Sequence, residues 1–293
     1  MTSPLDPLLL AQSYAFCAEI TRRCATNFYY ALKLVPQPKR SAMFALYAYM
    51  RTIDDVADDN SSRTAQDRAG WLEGMRNQTH AALDIGAVDH SRSIWPAFAH
   101  TVRQYQIPSY VFDHAIAGQL QDLQPLSFAT FTQLQEYCYR VAGTVGVASI
   151  HIWGFQGGQP TIDLAVDRGV AFQITNVLRD LREDLARGRI YLPREELAHT
   201  QVTEDDLRRL RPTDAFVKLM RFQIERAMAC FDRSAPLDNL ISADCRPALR
   251  TMTRIYHAIL DKIAANPQRV LRGRVSLSPL SKLLIAWRAL RST

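Results

Sequence analysis

Four aspartates lie within six residues of a segment whose apolar spacing is helical. Asp54 and Asp58 are four positions apart, and so are Asp55 and Asp59. Residues four apart are neighbours on a helix surface, and like charges at this spacing destabilise the helix unless a cation compensates them. Proteins bind Mg²⁺ through one or two carboxylates together with phosphates and water. The segment therefore predicts either a magnesium–phosphate site or a solvated acidic helix end.

A second polar stripe lies on a predicted helix that is otherwise apolar. Asn176, Asp180 and Asp184 stand at positions i, i+4 and i+8, which places them on one face of that helix. Such side chains must line a wet cavity or bind a ligand, because burial without partners costs several kcal/mol. The alternative is an exposed face on which Arg179 and Arg182 neutralise the acids. Two such stripes in one helical chain favour Mg²⁺ and a diphosphate at the mouth of an apolar prenyl pocket.

Two glycines interrupt the predicted helix that carries Tyr137. Gly143 and Gly146 each cost about 1 kcal/mol relative to alanine in a helix interior. A kink, the close approach of a ligand, or tight packing against another helix would each explain them. The sequence leaves these explanations open.

Helices must position these residues, because apolar residues recur at three- and four-residue spacing along almost the whole chain. Proline at positions 36 and 108 marks helix boundaries, and the paired glycines at 157 and 158 mark a turn. No linker rich in glycine or serine divides the chain and no internal repeat is evident, so the prediction is one all-α domain over residues 1–293. The predicted helices span residues 8–34, 39–60, 64–84, 92–105, 108–120, 128–153, 160–187, 213–235, 243–265 and 279–291.

Charge and cysteine content limit the classes of function. Thirty of the 35 cationic residues are arginine and the formal net charge is +6, which favours a nucleic acid, a phosphorylated small molecule or an anionic membrane as partner. Nucleic-acid binding is not expected, because the arginines are scattered and no recognition motif is present. Five cysteines without CxxC spacing argue against a disulfide framework or a zinc ribbon and fit a reducing compartment. With no signal peptide or spanning segment recognised, the expected location is cytoplasmic.

The order of the motifs resembles that of the squalene/phytoene synthase family of head-to-head isoprenoid condensing enzymes. The resemblance extends from about residue 14 to residue 290. It is carried by the two aspartate motifs in order, with VAGTVG at 141–146 between them and GRIYLP at 188–193 after them. The runs NFYYA at 27–31, LVP at 34–36 and ALYAYMR at 45–51 complete it.

The resemblance implies the all-α isoprenoid synthase fold around a central prenyl-diphosphate pocket. It implies that Mg²⁺, or alternatively Mn²⁺, is bound with the substrate diphosphates by Asp54, Asp58, Asn176, Asp180 and Asp184. Catalytic roles are implied for Tyr137, Tyr47, Arg51 and Arg179. The implied substrate-binding residues are Arg51, Tyr47 and Arg179 together with Phe28, Asn27, Val141, Gly143, Gln173 and Asn176. Residues 24–28 depart from the family at the corner ahead of Phe28, where many relatives carry hydroxyl-rich residues.

The implied activity is that of a prenyltransferase that condenses two farnesyl diphosphates to presqualene diphosphate, squalene or both. Two alternatives stay open, which are phytoene synthesis from two geranylgeranyl diphosphates and a non-catalytic family member that acts as an assembly partner. The intact aspartates favour catalysis. The use of NADPH and the oligomeric state are left open, since the absence of a GxGxxG motif excludes only a Rossmann-type NADPH site.

The C-terminal segment 269–291 predicts one further contact. It mixes arginines and a lysine with leucines and Trp287, a composition typical of a helix lying peripherally on the inner face of an anionic membrane. The leucine spacing is equally that of a face packed on the core.

Overall fold

A computed structural model describes residues 6–25, 28–57, 63–84, 93–124 and 126–291. Throughout these ranges the regular structure is helical, and extended pairing is limited to isolated bridges between Ser127 and Ile190 and between Phe155 and Ile241. The all-α fold class predicted from the sequence is confirmed.

The helices of the described ranges follow one another along the chain. The N-terminal half contains α1 (Pro7–Cys24), α2 (Phe28–Leu32), α3 (Lys39–Ala57), α4 (Ala65–Asp84), α5 (Trp95–Gln104), α6 (Tyr110–Gln121), α7 (Phe131–Cys138), a π-helical turn (Tyr139–Gly143) and α8 (Thr144–Trp153). The C-terminal half contains α9 (Gln159–Arg179), α10 (Leu181–Ala186), α11 (Arg194–Thr200), α12 (Glu204–Arg208), α13 (Asp214–Arg233), α14 (Leu237–Leu240), α15 (Arg246–Ala265) and α16 (Pro279–Arg291), with 3₁₀ turns at Ala243–Cys245 and Pro267–Leu271.

Several predicted boundaries are corrected by the backbone. The predicted helix 8–34 is divided into α1 and α2, because Ala25 leaves helical geometry with φ −84° and ψ 69°. The predicted helix 160–187 is interrupted at Asp180, whose φ of −99° and ψ of 7° end α9 and begin α10. The helices α11 and α12 were not predicted, although Thr203 caps α12 in a capping box with Asp206. Residues 58–60 of the predicted helix 39–60 lie outside the described residues.

Close contact between α8 and α9 explains one of the two glycines. A Cβ atom on Gly146 would lie 2.4 Å from the carbonyl oxygen of Ala165, and on the facing helix a Cβ atom on Gly169 would lie 2.4 Å from that of Ala142. A Cβ on Gly143 would meet the side chains of Tyr139 and Val166 instead. Tight packing of two backbones is therefore the reason for glycine at position 146.

Two groups of buried apolar side chains form the core. One is built largely from α3, α5, α6 and α8, and the other largely from α9, α13 and α15. Phe28, Val166 and Phe172 are partly buried and pack against both groups. These residues mark the zone where the two halves of the core meet, and the cavity described next is lined from both sides of that zone.

Candidate active site

A cavity of about 590 Å³ lies between α3, α6, α8, α9 and α15. Its lining residues extend along α3 from Met43 to Asp54 and along α9 from Ala165 to Arg179. Eleven positions separate Met43 from Asp54, so the cavity follows α3 for about 16 Å at 1.5 Å per residue. The cavity is therefore long and has different chemistry at its two ends.

One end of the cavity is charged. It coincides with the C-terminal ends of α3 and α9, where the helix macrodipole is negative and cations are favoured. Five carboxylates line it, from Asp54, Asp122, Asp180, Glu183 and Asp184. Five arginines line it as well, namely Arg51, Arg179, Arg187, Arg189 and Arg274. This charged end suits a polyanion that is bound by guanidinium groups and by metal cations.

Eleven of the predicted site residues line this one cavity. They are Phe28, Tyr47, Arg51, Asp54, Tyr137, Val141, Gln173, Asn176, Arg179, Asp180 and Asp184. Gly143 is not among the lining residues, because it is buried against Tyr139 and Val166 in the π-helical turn. Asn27 and Asp58 lie outside the described residues.

Arginines pair with Asp54 and Asp55 of the first stripe and with Asp180 of the second. The guanidinium of Arg51 pairs with Asp55 and lies 3.5 Å from Oδ2 of Asp54. Arg179 donates from Nε to Oδ1 of Asp180 at 2.7 Å, and Nε of Arg274 lies 3.0 Å from the same oxygen. The Asp180 carboxylate is thus fixed between two guanidinium groups, one from α9 and one from the loop before α16.

The residues beside Asp180 fit a hard divalent cation. Asn176 donates from Nδ2 to Oε1 of Gln173 at 3.1 Å, while its own Oδ1 is buried without a hydrogen-bond partner. Burial and the neighbouring charge of Asp180 raise the pKa of Asp184 to about 7. An orphaned amide oxygen and an under-compensated carboxylate are the donors that Mg²⁺ prefers. Within the described ranges, no three histidine, cysteine or acidic side chains form a metal site by themselves, so a bound ion would also need the amide and ligand oxygens.

A buried tyrosine–carboxylate cluster adjoins the charged end. Tyr137 is 3% exposed and its hydroxyl donates to both oxygens of Asp122, at 2.9 and 3.0 Å. The hydroxyl of Tyr191 donates to the same carboxylate at 3.3 Å. Burial, the charge of Asp122 and the contact with Tyr191 raise the pKa of Tyr137 well above its ordinary value. The phenol of Tyr137 therefore keeps its proton at neutral pH, with Asp122 placed to receive it.

Most of the rest of the cavity is apolar and aromatic, although Gln119, Ser149 and the buried Arg168 also line it. The rings of Phe28 and Phe172 lie 5.8 and 4.5 Å from that of Tyr256, measured between centroids. Large side chains, including those of Trp153 and Met43, lie at the end away from the aspartates. Such a wall accommodates a hydrocarbon chain, and its ring faces can stabilise a cation.

Sequence reasoning missed several lining residues. Asp122 follows α6 without a recognisable motif, and Arg274 lies more than ninety positions after Asp180. Phe172 and Tyr256 have the spacing of ordinary core residues. Tyr191 lies inside the GRIYLP run, which is the one local signal that could have identified a member of this group.

Fold and site define a class of helical protein with a long, largely apolar cavity that has arginines and carboxylates at one end. The family described as squalene/phytoene synthase matches residues 21–281. The phytoene synthase of Mycobacterium tuberculosis is 36% identical over 290 residues, covering 97% of this chain and 92% of the relative. The 15-cis-phytoene synthase of Synechocystis sp. is 34% identical over 296 residues, covering 94% of this chain and 85% of the relative.

Solved structures give the same result. A dehydrosqualene synthase in complex with a ligand superposes with a TM-score of 0.85 at 25% identity, covering 98% of this chain and all of that one. Squalene synthase HpnC from Alicyclobacillus acidocaldarius superposes with a TM-score of 0.81 at 26% identity, covering 92% and 98%. The chain belongs to the squalene/phytoene synthase family, a prenyltransferase family whose members use divalent metal ions to bind prenyl diphosphates. The family predicted from the sequence is confirmed.

Proposed function

We propose that this protein condenses two prenyl diphosphates head to head. The observation that carries the proposal is the convergence of Asp54 on α3 with Asp180 and Asp184 on the second stripe at one end of an apolar cavity. A molecule with a diphosphate head and a hydrocarbon tail matches both ends of that cavity. Membership of the family supports the same reaction.

Each polar group at the charged end has a proposed task. Asp54, Asp58, Asn176, Asp180 and Asp184 hold the metal ions, with Asp58 included from the motif alone. Mg²⁺ bound there supplies positive charge that offsets the charge developing on the departing diphosphate. Arg51 and Arg179 contact the diphosphates directly, because a guanidinium matches phosphate oxygens in a bidentate manner.

The reaction follows from these contacts. The allylic C–O bond of one substrate breaks, and diphosphate leaves with the electron pair. The double bond of the second substrate then forms a C–C bond with the allylic cation, and loss of one proton closes the ring of a cyclopropylcarbinyl diphosphate. The Tyr137 oxygen accepts that proton while its own proton passes to Asp122, which is 2.9 Å away. The ring faces of Phe28, Phe172 and Tyr47 stabilise the cation, and the apolar walls exclude water that would quench it to an alcohol.

We propose farnesyl diphosphate as the substrate and presqualene diphosphate as the first product, with reduction to squalene if NADPH is used. The dehydrosqualene and squalene synthase structures support a cavity of this type. Geranylgeranyl diphosphate is the second candidate, favoured by relatives of 34–36% identity that are named phytoene synthases. The location that suits this chemistry is the cytoplasm, with contact at the inner face of the cell membrane where prenyl chains partition.

Product analysis tests the proposal. The purified protein is incubated with farnesyl or geranylgeranyl diphosphate, with Mg²⁺ or a chelator, and with or without NADPH. We expect a thirty-carbon product from farnesyl diphosphate that requires the metal and is lost in Asp54→Asn. The matched control, Asp163→Asn on the exposed face of α9, should keep full activity. Conversion of geranylgeranyl diphosphate alone would favour the second candidate, and no condensation of either substrate would favour a non-catalytic role.

A further inference from the structure

The C-terminal helix α16 presents most of its bulky apolar side chains to solvent. Lys282, Ala286 and Ala289 are buried on its inner side, and Ile285 is partly buried against the core. Five large apolar residues are instead between 49% and 73% exposed, namely Leu280, Leu283, Leu284, Trp287 and Leu290. The core-packed alternative suggested by the leucine spacing is therefore wrong. We call these five residues the outer face of α16.

The outer face is continuous. At 100° per residue, its five members fall within an arc of about 120° on the helix surface. Soluble proteins rarely expose a contiguous apolar stripe of this kind unless it meets a membrane or another protein. The outer face is therefore expected to bind a membrane or another protein.

The charge around the outer face identifies that binding partner as an anionic surface. Residues 262–291 contain seven cationic side chains and no carboxylate. Two of the seven lie away from the outer face, since Arg274 pairs with Asp180 at the cavity and Lys282 is buried on the inner side of α16. The guanidinium of Arg291 lies 4.0 Å from the ring centroid of Trp287, so a cation is part of the face itself. A second copy of the chain would bring the same cationic segment against itself, which is repulsive. An anionic lipid surface is attractive instead, by about 1 kcal/mol for each nearby cation.

The helix also lies beside the cavity. It packs on α2 and α15, which contribute Phe28 and Tyr256 to the cavity wall. On the inner side of α16, Lys282 lies near Arg179 and Arg274 of the charged end. Burial lowers the pKa of Lys282, and the positive charges of these two arginines lower it further. A surface bound at the outer face would therefore lie on the side of the protein that carries the charged end of the cavity.

We propose that the outer face of α16 binds the surface of an anionic lipid bilayer and holds the charged end of the cavity next to it. Leucines and Trp287 enter the boundary between headgroups and acyl chains, while Arg288 and Arg291 contact lipid phosphates. Prenyl chains then exchange with the bilayer without crossing bulk water. The benefit to turnover rests on the proposed function, but lipid binding itself does not.

Vesicle co-sedimentation tests the surface directly. We expect the wild-type chain to bind vesicles of phosphatidylcholine and phosphatidylglycerol, to bind weakly to phosphatidylcholine alone, and to dissociate as salt is added. The triple variant Leu283→Gln/Leu284→Gln/Trp287→Gln should bind vesicles at least about tenfold more weakly than wild type, because it loses three inserted apolar side chains. The control is Phe222→Gln, which removes another exposed apolar side chain on α13 and should bind normally.

The charge contribution has its own comparison. Arg288→Gln/Arg291→Gln should weaken binding and reduce its salt dependence, whereas Arg208→Gln/Arg209→Gln at the C-terminal end of α12 should not. All of these side chains are exposed or at the chain surface, so circular dichroism should report unchanged folding.

Three results would overturn the proposal. One is wild-type protein that remains in the supernatant with anionic vesicles at low salt. Another is a triple variant that binds like wild type. The third is a wild-type dimer, seen by sedimentation velocity, that the triple variant abolishes while neither protein binds lipid. Turnover measured in detergent micelles separates this proposal from the proposed function. A triple variant that keeps normal turnover in micelles but does not bind vesicles supports both the condensation activity and the lipid-binding role of α16.

Discussion

Replacing Asp184 by asparagine should stabilise the metal-free protein while abolishing its activity. Burial and Asp180 raise the pKa of Asp184 from 3.8 to about 7, so the folded state binds this proton more tightly than the unfolded chain does. Stability from this group is therefore complete below about pH 4 and falls as the pH rises toward 7. At higher pH the ionised carboxylate destabilises the metal-free protein, because it is buried beside the negative charge of Asp180 with no metal cation to compensate it.

The size of the effect follows from the same pKa. Each tenfold change in acidity is worth about 1.4 kcal/mol, so a pKa that rises from 3.8 to about 7 costs up to about 4 kcal/mol above pH 7. The carboxylate is partly exposed, which reduces the expected cost to about 2–4 kcal/mol. Asp184→Asn removes the charge and should recover this amount.

Urea unfolding with a chelator present provides the assay. The free energy of unfolding of Asp184→Asn should exceed that of wild type at pH 8, and this difference should be about 0.5–2.5 kcal/mol smaller at pH 5. Asp261→Asn, at an exposed site on α15, serves as the control and should show no such pH dependence. Adding Mg²⁺ and inorganic diphosphate should stabilise wild type more than Asp184→Asn. Equal pH dependence in wild type and Asp184→Asn would refute the reasoning.

Three further predictions concern the proton relay, the helix packing and the charged end. Tyr137→Phe and Asp122→Asn should each lower kcat at least about a hundredfold with little change in KM, whereas a change in KM alone in steady-state assays would indicate a packing role. Gly169→Ala should lower the free energy of unfolding in urea by about 1–3 kcal/mol, because its Cβ would lie 2.4 Å from a carbonyl oxygen. Gly74→Ala is the control, and it should raise the free energy of unfolding by about 0.5–1 kcal/mol because the space around Gly74 in α4 is open. Arg274→Gln should raise KM about tenfold if Arg274 also contacts diphosphate, the value of one lost charge-assisted contact; an unchanged KM would show that Arg274 only holds Asp180.

Helical periodicity predicted the fold class and the two aspartate stripes, whereas the other predicted cavity residues came from the family resemblance. Asp54, Asp180 and Asp184 occupy one face of their helices in the sequence pattern, and they line one cavity in the structure. Spacing alone predicts such residues because neighbours on a helix face are only three or four positions apart.

Contacts between distant segments could not be predicted in this way. Asp122 belongs to the site only because Tyr137 and Tyr191 fold onto it, and Arg274 only because its loop returns to Asp180. The orientation of α16 was also undetermined, since an apolar stripe has the same spacing whether it faces the core or solvent. What decides the orientation is that the small residues Ala286 and Ala289 pack inward.

The central claim is that one cavity binds two prenyl diphosphates together. Isothermal titration with a non-ionisable thio analogue of farnesyl diphosphate, in the presence of Mg²⁺, measures this stoichiometry directly. We predict two molecules bound per wild-type chain, and at most one per chain when the metal is chelated or when Asp54 is replaced by asparagine. A stoichiometry of one in the wild-type protein, with Mg²⁺ present and the analogue saturating, would contradict head-to-head condensation in this cavity.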